Sequence, residues 1–248
     1  MSDKVVVITG ASAGIGAALA EALGRRGDAV VLVARREPEL RAVAARCGDR
    51  ALVAVADVTR REEVRRVVRE ALARFGRVDV WVNNAGQGIT RLPSLLTDED
   101  LDEMVRVNVK SVLYGMQEIL PHFRERGSGQ VVNVSSMLGR VPFAPIRSAY
   151  TGAKHFVNAL TANIRTEVQA EHPDIQFTLV SPGVVRTEFG VNALHGGPDS
   201  RRLPDSQSAE EVAAVIVGAI DARQADVYTR AGARERVAGY YAGLGEDP

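Results

Sequence analysis

The sequence predicts an α/β fold of the doubly wound type, in which one parallel sheet of about seven strands carries helices on both faces. Short runs of apolar, β-branched residues indicate buried strands at 5–9, 29–33, 51–56, 78–82, 130–135, 175–180 and 226–229. Longer segments with helical spacing alternate with them, at 15–26, 37–46, 60–75, 98–123, 148–171 and 209–222. In such a sheet ligands bind at the carboxyl ends of the strands.

The composition is that of an ordinary globular protein, with 248 residues, 46% of them hydrophobic and 25% charged. We expect one domain over residues 1–248. The 31 basic residues balance the 31 acidic ones, so no net positive charge attracts nucleic acid or an anionic membrane. Apolar runs fall short of the roughly 18 residues that a membrane span needs. Neither nucleic acid nor a membrane is therefore a predicted partner.

Cysteine and histidine usage argues against a disulfide or a metal site. Cys47 is the only cysteine, which excludes an internal disulfide and a cysteine-built zinc site. The four histidines lack metal-ligand spacing, so no metal is predicted. The first residues do not follow the pattern of a secretion signal. We expect a cytoplasmic protein.

One linker-like stretch, residues 183–208, interrupts the alternation of strands and helices. It contains Gly196-Gly197-Pro198 and Pro204-Asp205. A stretch of this length inside a compact domain is more often a functional loop than a tether. We predict a substrate lid at about residues 187–208.

A glycine-rich turn follows the first strand and opens the first helix. It reads Thr9-Gly10-Ala11-Ser12-Ala13-Gly14-Ile15-Gly16. Backbone N–H groups at the start of a helix bind phosphate well, and glycines allow the phosphate to approach closely. The spacing is GxxxGxG and departs from the GxGxxG of the standard dinucleotide fingerprint. A glycine-rich turn without a ligand is the alternative interpretation.

Tyr150 and Lys154 lie four residues apart in a predicted helix, so their side chains meet on one face. An ammonium group makes a nearby phenol easier to ionise. To bring the pKa of Tyr150 from about 10 to about 7 takes roughly 4 kcal/mol, which Lys154 and an oxidised nicotinamide together are able to supply. A phenol with such a pKa suits general acid/base catalysis. For this pair taken alone, an exposed Tyr–Lys pair is the commoner situation.

These motifs together resemble the short-chain dehydrogenase/reductase family, whose members have a Rossmann fold. The family's motifs occur here in order, as Asn83-Asn84-Ala85-Gly86, Asn108, Ser136, Tyr150-Thr151-Gly152-Ala153-Lys154, Pro182-Gly183 and Thr187. The resemblance covers residues 5–229. It implies an oxidoreductase that transfers hydride between a dinucleotide and a carbonyl or alcohol.

The resemblance also implies roles for individual residues. Ser136 would bind the substrate carbonyl, with Ser135 as the rival candidate, and Tyr150 would transfer the proton. Asn108 would hold a water that links Lys154 to solvent, with a surface asparagine as the alternative. The implied cofactor contacts are Gly10, Ser12, Gly14, Ile15, Gly16, Asp57, Val58, Asn84, Ala85, Gly86, Tyr150, Lys154, Pro182, Gly183, Val185 and Thr187. Asp57 and Val58 have an alternative interpretation as the N-cap region of the helix that begins near residue 60.

The end of the second strand favours NADP(H) over NAD. An enzyme that prefers NAD places an acidic residue there, about 20 residues beyond the glycine-rich turn, to bind the ribose 2′-hydroxyl. The sequence instead reads Ala34-Arg35-Arg36. Guanidinium groups form charge-assisted hydrogen bonds with a 2′-phosphate. We therefore predict NADP(H) as the cofactor, held in part by Arg35 and Arg36.

The predicted function is reduction of a ketone or aldehyde by NADP(H), and the alternative is an NADP(H)-binding sensor or scaffold without turnover. Family analogy gives a mostly apolar substrate pocket formed by Gln87, Gly88, Met137, Leu138, Phe143, Val184 and Val185. This favours a carbonyl attached to hydrophobic bulk. An acidic substrate attracted by Arg201 and Arg202 is the other possibility. The resemblance further implies a homodimer or homotetramer.

Overall fold

The computed structural model describes residues 3–244, which form one seven-stranded parallel sheet in the order β3-β2-β1-β4-β5-β6-β7. The strands are β1 (Val5–Thr9), β2 (Ala29–Ala34), β3 (Ala51–Val55), β4 (Val80–Asn83), β5 (Gly129–Val134), β6 (Ile175–Ser181) and β7 (Asp226–Tyr228). The predicted doubly wound Rossmann fold is confirmed.

Helices connect successive strands. They are α1 (Gly14–Arg25), α2 (Glu37–Ala44), α3 (Arg61–Phe75), α4 (Asp98–Val105), α5 (Ser111–Arg126), α6 (Ser148–Gln169), α7 (Ala209–Asp221) and α8 (Ala233–Ala242). Short 3-10 turns cover Pro93–Leu95, Met137–Gly139 and Ser200–Arg202. Within residues 3–244 there is no helix with the length and apolar character that a membrane crossing requires.

The sheet is buried on both faces, which explains why its strands read as continuous apolar runs. In β1, Val5 and Val7 pack on the side of α3, α5 and α6. The alternate residues Val6 and Ile8 pack on the side of α1, α2 and α7. Both layers of the core therefore meet at β1, and the helices hold the carboxyl ends of the strands in fixed positions.

The strand order reverses between β1 and β4, which opens a crevice at their carboxyl ends. Thr9, the last residue of β1, connects the two strands there. Its hydroxyl accepts hydrogen bonds from the backbone N–H groups of Asn84 (2.9 Å) and Ala85 (3.1 Å) and donates one to the carbonyl of Val82 (3.1 Å). This contact fixes the segment that follows β4 beside the glycine-rich turn.

Residues 98–123 are helical as predicted, but the helix is not regular. A π-helical turn at Arg106–Lys110 separates α4 from α5. Asn108 lies in this turn, is fully buried, and directs its carboxamide at the backbone of Gln87. A π turn inserts an extra residue into a helix, often at a functional site. Hydrophobic spacing does not reveal such an insertion, because the residues on either side keep a helical pattern.

Gly115 in α5 allows that helix to pack directly on β4. A Cβ atom at this position would overlap Asn83 Oδ1 and Trp81 Nε1, which are themselves joined by a buried hydrogen bond of 2.8 Å.

We expect Gly115→Ala to lower the free energy of unfolding by about 1–3 kcal/mol, as overpacking does. Urea denaturation measures the change. Gly218→Ala in α7 is the matched control, since open space surrounds Gly218, and it should stabilise the protein by about 0.5–1 kcal/mol. Equal stabilities of the two variants would contradict the prediction.

Candidate active site

The glycine-rich turn between β1 and α1 is shaped to receive a phosphate. Gly10 and Gly14 have positive φ angles of 68° and 56°. A Cβ atom on Gly10 would lie 2.9 Å from the Cα of Ala85, and one on Gly14 would lie 3.1 Å from Cγ2 of Thr187. The N-cap of α1 is Ala13, which has no side chain able to bond the first N–H groups of the helix. These groups and the close backbone fit the diphosphate of a dinucleotide.

Several of the predicted cofactor residues surround this turn. Asn84 Nδ2 donates hydrogen bonds to the carbonyls of Thr9 (2.9 Å) and Gly10 (3.3 Å). Arg36 Nη2 donates to Ser12 Oγ at 3.1 Å. Thr187 reaches Gly14 from the segment after β6. The structure thus brings together residues that are distant in the chain.

Arg35 and Asp57 lie beyond the turn, at the ends of β2 and β3. Arg36 pairs with Glu39 at 3.2 Å, whereas exposed Arg35 forms no ion pair within 4 Å among residues 3–244 and acts on Asp57 only from a longer distance. The carboxylate of Asp57 accepts hydrogen bonds from Thr59 N (2.9 Å) and Thr59 Oγ1 (2.7 Å). Burial opposes ionisation of Asp57, but the bonds from Thr59 and the charge of Arg35 outweigh it and lower the pKa of Asp57.

Asp57 lies in the turn that precedes α3, as the alternative interpretation expected, but it is not itself the N-cap residue. Helix α3 begins at Arg61, with Arg60 as its N-cap. The Asp57 side chain instead closes a local turn with Thr59, a common use of a short carboxylate. Its contact with adenine stays a prediction.

Tyr150 and Lys154 lie one turn apart on α6, and both are buried, with 7% and 3% of their surfaces exposed. Lys154 Nζ lies 5.6 Å from the centre of the Tyr150 ring and donates a hydrogen bond to the carbonyl of Val134 at 3.0 Å. Ser136, just after β5, lies close enough to Tyr150 for its hydroxyl to lower the pKa of the phenol. The hydroxyl of Ser135 is bound to Asn158 Oδ1 at 2.5 Å. The structure therefore places Ser136, and not Ser135, beside the phenol.

Burial dominates the electrostatics of Tyr150. It raises the pKa of Tyr150 to about 12, and the neighbouring Ser136 hydroxyl and the charge of Arg147 offset this only in part. Burial also lowers the pKa of Lys154 to about 8. The expected shift of the tyrosine pKa toward neutrality, which involves Lys154 together with an oxidised nicotinamide, stays a prediction. At pH 7 the phenol is neutral, which is the form that donates a proton.

Asn108 connects the π turn to the end of the Asn84–Gly86 segment. Its Oδ1 accepts from Gln87 N at 3.1 Å, and its Nδ2 donates to Gln87 O at 3.0 Å and to Met104 O at 3.2 Å. Because the side chain is fully buried, the alternative of a surface asparagine was wrong. The water-holding role of Asn108 stays a prediction.

We expect the desolvation of Lys154 to be measurable as a pH dependence of stability. The lysine pKa is about 8 in the folded protein against 10.5 for the free side chain. Between these values the unfolded chain binds more protons, so the stability of the wild type rises with pH. Lys154→Met removes this contribution. Its stability relative to the wild type should fall by about 2 kcal/mol as the pH increases from about 8 to about 10.

Urea denaturation of the two proteins across this range measures the difference. Lys110→Met is the control, because Lys110 is exposed and its removal should leave the pH dependence unchanged. Parallel stability curves for the wild type and Lys154→Met would show that Lys154 is not desolvated.

The predicted lid, residues 187–208, lies against the segment that follows β4. Leu194 N donates to Gly88 O at 2.8 Å, and Thr90 N donates to Leu194 O at 2.9 Å. Phe189 in this segment packs edge-on against Tyr150, with 5.5 Å between ring centres. Arg201 is held by Asp199 (2.8 Å) and Glu188 (3.3 Å). The sequence had not indicated the contact of Phe189 with Tyr150, because loop conformation has no periodic signal.

Comparisons with known proteins agree with this geometry. The chain matches the short chain dehydrogenase family over residues 4–196. An uncharacterized oxidoreductase of Staphylococcus saprophyticus is 39% identical over 190 residues, which cover 76% of this chain and 77% of that protein. The chain belongs to the short chain dehydrogenase family. The predicted family is thereby confirmed, and the activity is that of an oxidoreductase acting on CH–OH or C=O groups.

Solved structures of this family have the same architecture. A short chain dehydrogenase/reductase of Burkholderia phymatum in complex with NAD superposes with a TM-score of 0.87 at 25% identity and covers 100% of this chain and 98% of its own. A short-chain dehydrogenase from Sphingobium yanoikuyae in complex with NADPH gives a TM-score of 0.81 at 29% identity, covering 97% and 94%. Structures of this kind therefore hold either dinucleotide. The cofactor preference of this short chain dehydrogenase depends on its own residues.

Proposed function

We propose that this short chain dehydrogenase is an NADP(H)-dependent reductase of a carbonyl group attached to hydrophobic bulk. The observation that carries the proposal is the buried, neutral phenol of Tyr150, held beside Ser136 and Lys154 at the carboxyl edge of the sheet. A binding module has no need of such a group.

The chemistry assigned to the chain is proton transfer and orientation. When bound, NADPH supplies the hydride. Ser136 donates a hydrogen bond to the substrate oxygen and polarises the carbonyl. Tyr150 then gives its proton to that oxygen as negative charge develops. Lys154, which is mostly protonated at pH 7, stabilises the phenolate that remains, and it takes its position from the carbonyl of Val134.

The preference for NADPH rests on Arg35. This guanidinium is exposed at the end of β2 and has no carboxylate partner within the described part of the chain, while the neighbouring arginines Arg36 and Arg41 pair with Glu39 and Glu37. An unpaired arginine at this place suits a 2′-phosphate. The end of β2, which reads Ala34-Arg35-Arg36, has no acidic residue to bind a 2′-hydroxyl.

The hydrophobic character of the substrate rests on side chains near the crevice. Phe143 and Val184 are 54% and 43% exposed, and Phe189 is 36% exposed beside Tyr150. Residues 187–208 are proposed to cover the bound substrate. The lid and the cofactor site are proposed to belong to a single domain. The cytoplasmic location stays a prediction.

We also propose a homodimer or homotetramer. Leu101 of α4 and Phe156 of α6 are 51% and 57% exposed and line an apolar groove of about 380 Å³. A second copy of the chain would cover this apolar surface. Light scattering of the purified protein gives the oligomeric state.

The test of the function is oxidation of NADPH by the purified protein with a panel of aldehydes, ketones, diketones and quinones, with NADH in parallel. The proposal expects turnover of a hydrophobic carbonyl compound with NADPH, and slower turnover at equal NADH concentration. Tight NADPH binding without turnover of any compound would contradict it and favour the sensor. Equal kcat/KM for the two cofactors would contradict the assignment of NADPH alone.

A further inference from the structure

Arg147 is a half-buried arginine immediately before α6, three residues from Tyr150. Its Nη1 donates to the carbonyl of Ile89 at 2.9 Å. Arg147 has no ion pair with any carboxylate of residues 3–244, although most arginines of this chain have one. A guanidinium has five N–H donors, and burial makes unused donors and an unpaired charge costly. Burial lowers the pKa of Arg147, which reflects this cost.

The guanidinium of Arg147 lies in the wall of the crevice. A Cβ atom on Gly88 would be 2.9 Å from both Arg147 Nη1 and Phe189 Cε1, so these two groups flank Gly88. Phe189 in turn contacts the ring of Tyr150. The charge of Arg147 also lowers the pKa of Tyr150, which places the guanidinium near the phenol, on the side where Phe189 packs.

A second polar group without a partner lies at the same place. The hydroxyl of Thr90 is buried, and it has no hydrogen-bond partner within the described residues. A Cβ atom on Gly197 would be 2.6 Å from Thr90 Oγ1 and 3.0 Å from Arg147 Nη2. A free hydroxyl and free guanidinium N–H groups thus converge beneath the segment that carries Gly197.

Neighbouring charges do not neutralise Arg147. The carboxylate of Asp100 is already shared by His195, at 2.6 Å, and Arg91, at 3.1 Å. Arg201, which the sequence suggested as a contact for an acidic substrate, is taken up by Asp199 and Glu188. On the side of Tyr150 that Phe189 covers, Arg147 therefore supplies a positive charge in addition to that of Lys154.

We propose that Arg147 and Thr90 bind a carboxylate of the substrate, so that the substrate is a hydrophobic carbonyl compound that also carries a carboxylic acid group. The planar guanidinium matches a carboxylate, and one arginine with one hydroxyl balances a single negative charge. The proposal rests on the proposed function and specifies its substrate class. Arg147 and Thr90 determine specificity, while the proton transfer remains with Tyr150.

Binding of a simple acid tests the site without turnover. The probes are cyclohexanecarboxylate and its uncharged counterpart cyclohexanecarboxamide, titrated calorimetrically into the protein saturated with NADPH. We expect the wild type to bind the carboxylate at least about tenfold more tightly, as for hydrogen bonds to a charged group. Arg147→Gln should abolish this preference, and Thr90→Val should reduce it. Arg201→Gln is the matched control and should retain it, because Arg201 is already paired. Equal binding of the two probes by the wild type, or no binding of the carboxylate, would overturn the proposal.

Kinetics separate this proposal from the proposed function. The substrates are 4-oxocyclohexanecarboxylate and its methyl ester, which share the ring and the ketone and differ in the charge and in one methyl group. We expect the acid to have the higher kcat/KM in the wild type, and Arg147→Gln to raise KM for the acid at least about tenfold while the ester is unaffected. Turnover of both compounds without preference for the acid would uphold the reductase and overturn the carboxylate site. Carboxylate binding that depends on Arg147, without turnover of either compound, would uphold the site and count against the reductase.

Discussion

Tyr150→Phe is expected to lower kcat for carbonyl reduction by about 10²–10⁴, the range that general acid catalysis contributes. The substitution removes one hydroxyl and keeps the ring that packs against Phe189. Because the buried phenol has a pKa of about 12, it holds its proton across the neutral range and is the proposed donor next to Ser136. Without it, the proton must come from water, which the buried position of Tyr150 excludes.

The measurement is single-turnover and steady-state oxidation of NADPH with a ketone that the wild type reduces. The dissociation constant of NADPH should change by less than about threefold, since the phenol is a minor part of a large cofactor interface. Tyr114→Phe is the matched control and should keep full activity. Tyr114 lies on α5, and its ring packs against Arg61, whose Cζ is 4.4 Å from the ring centre. A Tyr150→Phe enzyme with wild-type kcat would exclude Tyr150 as the acid.

The fold was predictable because a sheet that is buried on both faces has strands made of uninterrupted apolar residues. Each β1 residue from Val5 to Ile8 is buried, so the strand reads as an uninterrupted apolar run. Helix α8 was not predicted, since Ala233 is its only buried residue within the described chain and its surface has no apolar stripe. The π turn at Arg106–Lys110 was missed for a different reason, because one extra residue shifts the geometry without changing the amphipathic pattern.

The positions of the site residues were more predictable than their properties. Motifs at the ends of β1, β4, β5 and β6 had to meet, because parallel strands bring their carboxyl ends to one edge. The pKa of Tyr150 was not predictable in this way. It depends on burial, to which Phe189 contributes from a distant loop, and on the exact place of Lys154, whose amine is directed to the Val134 carbonyl. The spacing of Tyr150 and Lys154 along a helix shows that they are close, but it does not show how far each side chain is removed from water, and this sets the pKa.

Arg147 illustrates the same limit. In the sequence it is one basic residue among many, three positions before the tyrosine. Only the folded chain shows that it lacks a carboxylate partner among residues 3–244, in contrast to Arg91, which is bound to Asp100 at 3.1 Å. The distinction between a paired and an unpaired arginine depends on residues far away in the chain, and it decides which of them is available to a ligand.

Arg35→Asp is expected to reverse the cofactor preference, with the affinity for NADPH falling at least about tenfold and up to about 100-fold, the value of one or two charge-assisted hydrogen bonds. The affinity for NADH should be unchanged or higher, because the new carboxylate accepts hydrogen bonds from the ribose 2′-hydroxyl and repels a 2′-phosphate. Fluorescence titration with each dinucleotide gives the two dissociation constants.

The control for this substitution is Arg41→Asp on α2. Arg41 is exposed and already pairs with Glu37 at 2.6 Å. The same change of charge at Arg41 therefore tests whether the preference for NADPH comes from the overall surface charge or from a local contact of Arg35. A local contact predicts that Arg41→Asp changes NADPH binding by less than about threefold, since exposed charges at a distance are screened by salt. Competition with adenosine 2′-phosphate should follow the same order as NADPH. Equal losses in the two variants would assign the preference to long-range charge and remove Arg35 from the cofactor site.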